Sequence, residues 1–172
     1  MLTFATISQF GRMLRNLDQW LQMGIAYADK KNFDPEVFAQ ARLAPDQYSL
    51  TRQVQSACDA AKYAAAYLSG QKAPSHPDTE KTLSELRARI QTCMSYLDSF
   101  SAAAFNGADE RRVAPPWMGG NAVRGDQYLT RIAVPNFYFH VTTAYDILRH
   151  NGVDLGKRDF IGVRDWAELA SA

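Results

Sequence analysis

Residues 135–152 read PNFYFHVTTAYDILRHNG, and the fold turns on this stretch. Pro135 fixes φ near the helical value and lacks only its own N–H, so it suits a first turn or a kink. Arg149 and His150 stand where a last turn meets the negative end of a helix dipole, and Asn151-Gly152 supplies a stop. The spacing therefore predicts a helix. Phe139, Thr142, Thr143 and Asp146 recur at steps of three and four, a mixed stripe with His140 beside it. Phe137, Tyr138 and Phe139 are consecutive and must point three ways around the axis; one or two belong to a core, and the excess either faces an interface or fills an aromatic core layer.

Working outward, three more segments carry helical periodicity. Thr6 to Asp29 repeats Ile7, Phe10, Leu14, Leu17, Leu21, Ile25 and Ala28 along one face. Asp34-Pro35-Glu36 reads as a cap, a first-position proline and a first-turn acid, starting a short helix to about Arg42. After a bend at 43–48, Ser49 or Thr51 caps a second long helix to Leu68. Its stripe is Leu50, Val54, Ala57, Ala61, Ala64 and Leu68, small enough for a neighbour to approach closely. Ser69-Gly70 ends it. The third opens at Asp78 or Thr79, with Glu80 in its first turn, and repeats Leu83, Leu86, Ile90, Met94 and Leu97.

Between the third helix and Pro135 the period breaks. Arg111–Val113 and Ala122–Arg124 flank Pro115, Pro116 and Gly119-Gly120, which predicts two short strands in a hairpin flap. Asp126 then starts a helix that runs into Pro135, implying a kink or a break there. Gly156-Lys157-Arg158-Asp159 reads as a solvated turn with an internal ion pair. The tail 153–172 packs on the rest, with Trp166 as its pin. Four amphipathic faces burying one another give an all-α chain, a four-helix bundle with a small β-hairpin before the last helix, in a single domain over 1–172.

Composition narrows the function. The 172 residues carry a net charge of +1 with signs mixed along the chain, so neither nucleic acid nor an anionic membrane is the expected partner. No apolar run nears the roughly 20 residues that span a bilayer. Arg12 and Arg15 sit where a signal peptide needs its apolar core, so a cytoplasmic protein is expected. Cys58 and Cys93 lack a C-x-x-C spacing and are expected as reduced core residues.

The phrases ARLAPDQYSLTRQVQSACDAAK (41–62) and PNFYFHVTTAYDILRHNGVDLGKRDFIG (135–162) resemble an uncharacterised bacterial domain-of-unknown-function family that is similar to the DinB/YfiT-like bundles. The resemblance implies a four-helix bundle of up-down-down-up order, commonly a homodimer, and no established activity. Metal-dependent thiol transferases and a maleylpyruvate isomerase type in the wider superfamily hold a metal on three histidines. One sits on the second helix and two on the fourth, four residues apart.

This sequence departs from that pattern. No histidine precedes Gly70, and His140 has Asn136 four residues before it and Ala144 four after. His150 lies ten residues on, about 15 Å along the axis and roughly 80° around it, so one ion cannot take both. Asp146 faces away from His140 by about 120°. No metal is assigned, with zinc or nickel as the disfavoured alternative. Asp59 would raise the thiol pKa of its neighbour Cys58, which makes a poor nucleophile.

His140 is then the candidate catalytic residue, or a buried histidine bonded to Gln53, Asp46 or Tyr63. Asp46, Gln53, Asn136, Tyr138 and Thr143 are the candidate ligand-binding residues around it. The expectation is a homodimer that binds a small ligand or a partner. The alternative is a small-molecule transferase or isomerase, metal-dependent or with His140 as general base.

Overall fold

The computed structural model describes residues 2–162; Trp166 and the end of the tail lie outside the described residues. Helix α1 spans Leu2–Lys31, α2 Leu50–Ser69 and α3 Leu83–Asp98. Strands β1 (Arg112–Val113) and β2 (Val123–Arg124) pair antiparallel, Arg112 opposite Arg124. Helix α4 (Gly125–Tyr128) passes through a π-helical stretch, Leu129–Ala133, into α5 (Val134–His150), and α6 covers Lys157–Ile161.

Side-chain partners fix the helix directions. On α1 and α5, Phe10 meets Phe137, Trp20 meets Tyr145 and Gly24 lies under Leu148, so the two run parallel. Across α2 and its long partner, Gln53 meets His140 and Tyr67 meets Tyr128, an antiparallel pair. Gln55 reaches Glu80 and Asp59 reaches Arg89, so α2 and α3 run parallel. Asp18 meets Arg87 and Gly11 faces Leu97, so α3 opposes α1. The order is up-down-down-up, as the resemblance implies.

The predicted stripes of α1, α2 and α3 form the core, whereas on α5 the mixed stripe faces outward at Phe139 and Thr142 and the core is met by Phe137, Ile147 and Leu148. Phe10, Leu14, Leu17, Leu21, Leu50, Val54, Leu83, Leu86, Ile90, Phe137, Ile147 and Leu148 are fully buried. Each such side chain contributes about 1.5–3 kcal/mol by leaving water. Alanines 57, 61, 64 and 65 line α2 where its neighbours press close. Gly70 ends α2 with φ of 76°, a left-handed cap that glycine adopts without strain.

Four local expectations are corrected. The segment after Asp34 is a 3-10 turn, Pro35–Gln40, whose Glu36 carboxylate accepts the Leu83 N–H at 2.9 Å. Helix α3 starts at Leu83, with Thr82 and Glu85 forming its capping box, because Asp78 and Glu80 are drawn away to Arg52 and Arg89. Of the kink or break expected at Pro135, the break does not occur: a π-helical turn lies just before it, accommodates the missing N–H and ring bulk, and the helix continues. Residues 156–159 open α6, where the Asp159 carboxylate accepts the Gly156 N–H at 2.8 Å. Within the described residues the tail is held by Phe160, stacked on Trp20 at 5.5 Å, and by the Trp20 indole donating to the Asp159 carbonyl.

Candidate functional site

The face of α2 opposite its alanine stripe carries Arg52, Ser56, Asp59, Tyr63 and Tyr67 at steps of three and four. These side chains form one wall of a cavity of about 770 Å³. The opposite wall is Tyr128, Ile132 and Ala133 from α4 and the π-helical turn, then Asn136 and His140 from α5. Tyr48 closes one end. Trp117, from the loop between β1 and β2, stands at the rim and is 65% exposed. A π-helical turn shifts the register of the residues after it, and here it lies on the cavity wall.

His140 is 9% exposed and bonds through Nδ1 to Gln53 Oε1 at 2.8 Å, one of the partners expected for it. The Gln53 amide nitrogen donates to the Tyr48 carbonyl at 3.3 Å, which turns Oε1 toward the ring. The hydrogen-bond network therefore assigns the proton to Nδ1 and leaves the Nε2 lone pair open. Burial, reinforced by Arg52, holds the His140 pKa below its ordinary value, so the neutral ring prevails at neutral pH.

Beneath the α2 wall lies a compensated ion network. Arg89, 2% exposed, reaches Asp59 at 2.9 Å, Asp78 at 3.0 Å and Glu80 at 3.0 Å. Lys62, 1% exposed, reaches Asp59 at 2.7 Å and lies 4.6 Å over the Tyr63 ring. Arg52 pairs with Asp78 and leans on the Tyr48 ring. Three cations face three carboxylates, so the wall is electrically neutral. Both bonds to Asp59, a residue of the cavity wall, fall on Oδ1, which leaves Oδ2 without a partner among the described residues. Bonding to Gln55, its own backbone and Arg89 outweighs burial and lowers the Glu80 pKa.

Of the residues singled out in the sequence, the fold brings together His140, Asn136 and Gln53, the last behind the ring. Asp46 is exposed in the bend before α2 and is not on the cavity wall. Tyr138 turns toward Phe10 of α1 at 6.4 Å, and the Thr143 hydroxyl donates to the Phe139 carbonyl of its own helix at 2.7 Å. Sequence reading passed over Tyr48, Arg52, Ser56, Tyr67, Trp117 and Tyr128. The polar and aromatic stripe from Arg52 to Tyr67 was the signal that could have found most of them.

Gln53 of α2 meets His140 of α5, and Asn136 lies four residues before His140 on the same helix. Two are neutral amides, and the imidazole's Nδ1 is engaged by one of them. That donor set does not suit zinc or nickel, which take imidazole, thiolate or carboxylate ligands. Among the described residues, no three His, Cys, Asp or Glu side chains are grouped to hold an ion. Cys58 and Cys93 are free and buried. Contact with the Cys93 thiol, and then burial, push Cys58 well above the ordinary thiol range, which suits a core residue and not a nucleophile. No helix among the described residues is long and apolar enough to cross a membrane.

The family model of a domain of unknown function, DUF1993, matches residues 2–161. The chain belongs to the DUF1993 family. This DUF1993 chain is also similar to the crystal structure of a DinB family member from Shewanella denitrificans, at 45% identity over 96% of this chain and 94% of that one, with a TM-score of 0.91. It is therefore a DinB-like helical bundle, as the two quoted phrases indicated. A comparison with curated proteins found no match.

Proposed function

We propose that this DUF1993 chain binds a small molecule in the cavity between α2 and α5, with no resident metal. One observation carries the reading: a polar and aromatic stripe on α2 faces an open imidazole nitrogen across about 770 Å³, a volume typical of ligand sites. The neutral amides of Gln53 and Asn136 beside His140 support a site that works without an ion. Phe139, 54% exposed on α5, supports a homodimer in which that ring is covered. The two free thiols fit a reducing, cytoplasmic setting.

A thermal-shift screen of soluble metabolites tests the reading, because ligand bound to the folded state raises Tm. Hits are expected, and they should be lost or weakened in Tyr63→Ala and Trp117→Ala. A screen without hits, or hits indifferent to both variants, would overturn it. Elemental analysis of protein purified without a metal column should find far less than one zinc or nickel per chain. Sedimentation should give a dimer that Phe139→Asp weakens.

A second reading has its own support. A neutral histidine anchored through Nδ1 with Nε2 facing a cavity is arranged as a general base, which favours an isomerase or transferase. Once a turnover assay exists, rate should fall as pH drops through the His140 pKa. A rate unchanged in His140→Ala would count against this.

A further inference from the structure

The geometry points to a neutral, hydroxylated aromatic ring system as the ligand class of this cavity, an inference that rests on the binding reading above. Charge is the first argument. Arg52 is met by Asp78, and Asp59 is met by both Lys62 and Arg89. An anionic ligand would compete with Asp78 for Arg52, and a cationic one would face a carboxylate already paired twice. Among the described residues neither finds an open charge, and a charged ligand pays desolvation with no compensating partner there.

Shape and surface are the second argument. The walls are rich in flat rings: Tyr63 and Tyr67 stack at 5.7 Å and 17°, Tyr67 meets Tyr128 edge-on at 5.8 Å, and Trp117 offers an indole at the rim. An exposed tryptophan at a cavity mouth gains contact area when a planar molecule slides against it. The remaining hydrogen-bonding atoms supply the third argument. His140 Nε2 and Asp59 Oδ2 are acceptors on opposite walls, and the hydroxyls of Ser56, Tyr63 and Tyr67 and the Asn136 amide, which can donate, line the same space. The complement of acceptors and hydroxyls between aromatic faces is a ring carrying hydroxyl groups, which donate to the one and accept from the other. In this pose a ligand hydroxyl donates to His140 Nε2, and no covalent step is involved.

Calorimetric titration at pH 7 with four probes of one size tests this: 2-naphthol, its methyl ether, 2-naphthoate and 2-naphthylmethylammonium. The naphthol should bind best, about fivefold tighter than the ether, which lacks the donor. In the paired variant Gln53→Leu/His140→Phe, both polar partners become apolar together, so folding is preserved, and the preference for naphthol over ether should disappear. Equal or tighter binding of the naphthoate or the ammonium would overturn the class by revealing an open charge. Equal affinity for ether and naphthol would overturn the donor assignment. Binding of no probe, beside metabolite hits sensitive to Trp117→Ala, would overturn the aromatic class and leave the cavity as a ligand site. A silent metabolite screen would remove both.

Discussion

Helix α5 has two faces with opposite chemistry. Toward α1 it is closed and apolar: Phe137 stacks on Phe10 at 4.2 Å, and Tyr145 meets Trp20 edge-on at 5.3 Å. Toward α2 it presents His140 and Asn136 to an open cavity, with Gln53 and a buried ion network behind the opposite wall. The first face is what a bundle needs to fold. The second buries polar groups that must be paired at a desolvation cost, and a bundle built only for stability would replace them with apolar residues. The contrast separates residues that hold the helices together from residues that the proposed binding role would use.

The comparison can be broken first on the closed face. Phe10→Ala removes a fully buried ring and should cost about 3–5 kcal/mol in urea unfolding, with little change in any ligand's affinity at the cavity after correction for folding. Arg89→Leu, under the cavity wall, should cost about 3 kcal/mol, since it leaves Asp59, Asp78 and Glu80 without their shared cation. Gln53→Leu keeps the volume and strands the His140 Nδ1, for about 1–2 kcal/mol. It should also free the imidazole to reorient, weakening cavity ligands. A Gln53→Leu protein as stable as the parent would say that the polar pair is incidental.

Acid sharpens the same contrast. The folded pKa of His140 lies below its ordinary 6.5. Below pH 6.5 the unfolded chain therefore binds the proton more readily than the folded one, and stability falls as pH drops. His76, lowered by burial and then by Lys62 and Arg89, acts with the same sign. The decline should be shallower in Gln53→Leu/His140→Phe, as followed by Tm between pH 7 and 5. Glu80, whose pKa is also lowered, adds its loss only at lower pH, below the ordinary 4.5. Trp117→Ala, at an exposed rim, should move stability by less than about 0.5 kcal/mol while weakening ligands.

The closed face was legible in the sequence because apolar residues at three-and-four spacing mean burial wherever the partner turns out to be. The hairpin showed through its prolines and glycines, and the α2 stop through Gly70. The open face was less legible because its meaning is tertiary. Asp78 and Glu80 look like first-turn acids until Arg52 and Arg89 arrive from other helices. Tyr138 and Thr143 look like site residues beside His140, yet the helix turns Tyr138 about 160° away, toward α1, and Thr143, though on nearly the same face, spends its hydroxyl on the Phe139 carbonyl. Pro135 signals disruption, and only the backbone shows that a π-helical turn takes it up. The Arg52–Tyr67 stripe was readable in principle, but the alanine stripe on the other side of the same helix gave the stronger pattern.

Two indole N–H groups report on the two faces separately: Trp20, donating to the Asp159 carbonyl on the closed side, and Trp117 at the cavity rim. Titrating labelled protein with the best hit of the metabolite screen and following both signals by NMR is the most direct test. The Trp117 signal should move in a saturable way while the Trp20 signal stays in place; movement of Trp20 with Trp117 unmoved would rule out the cavity as the place where ligand binds.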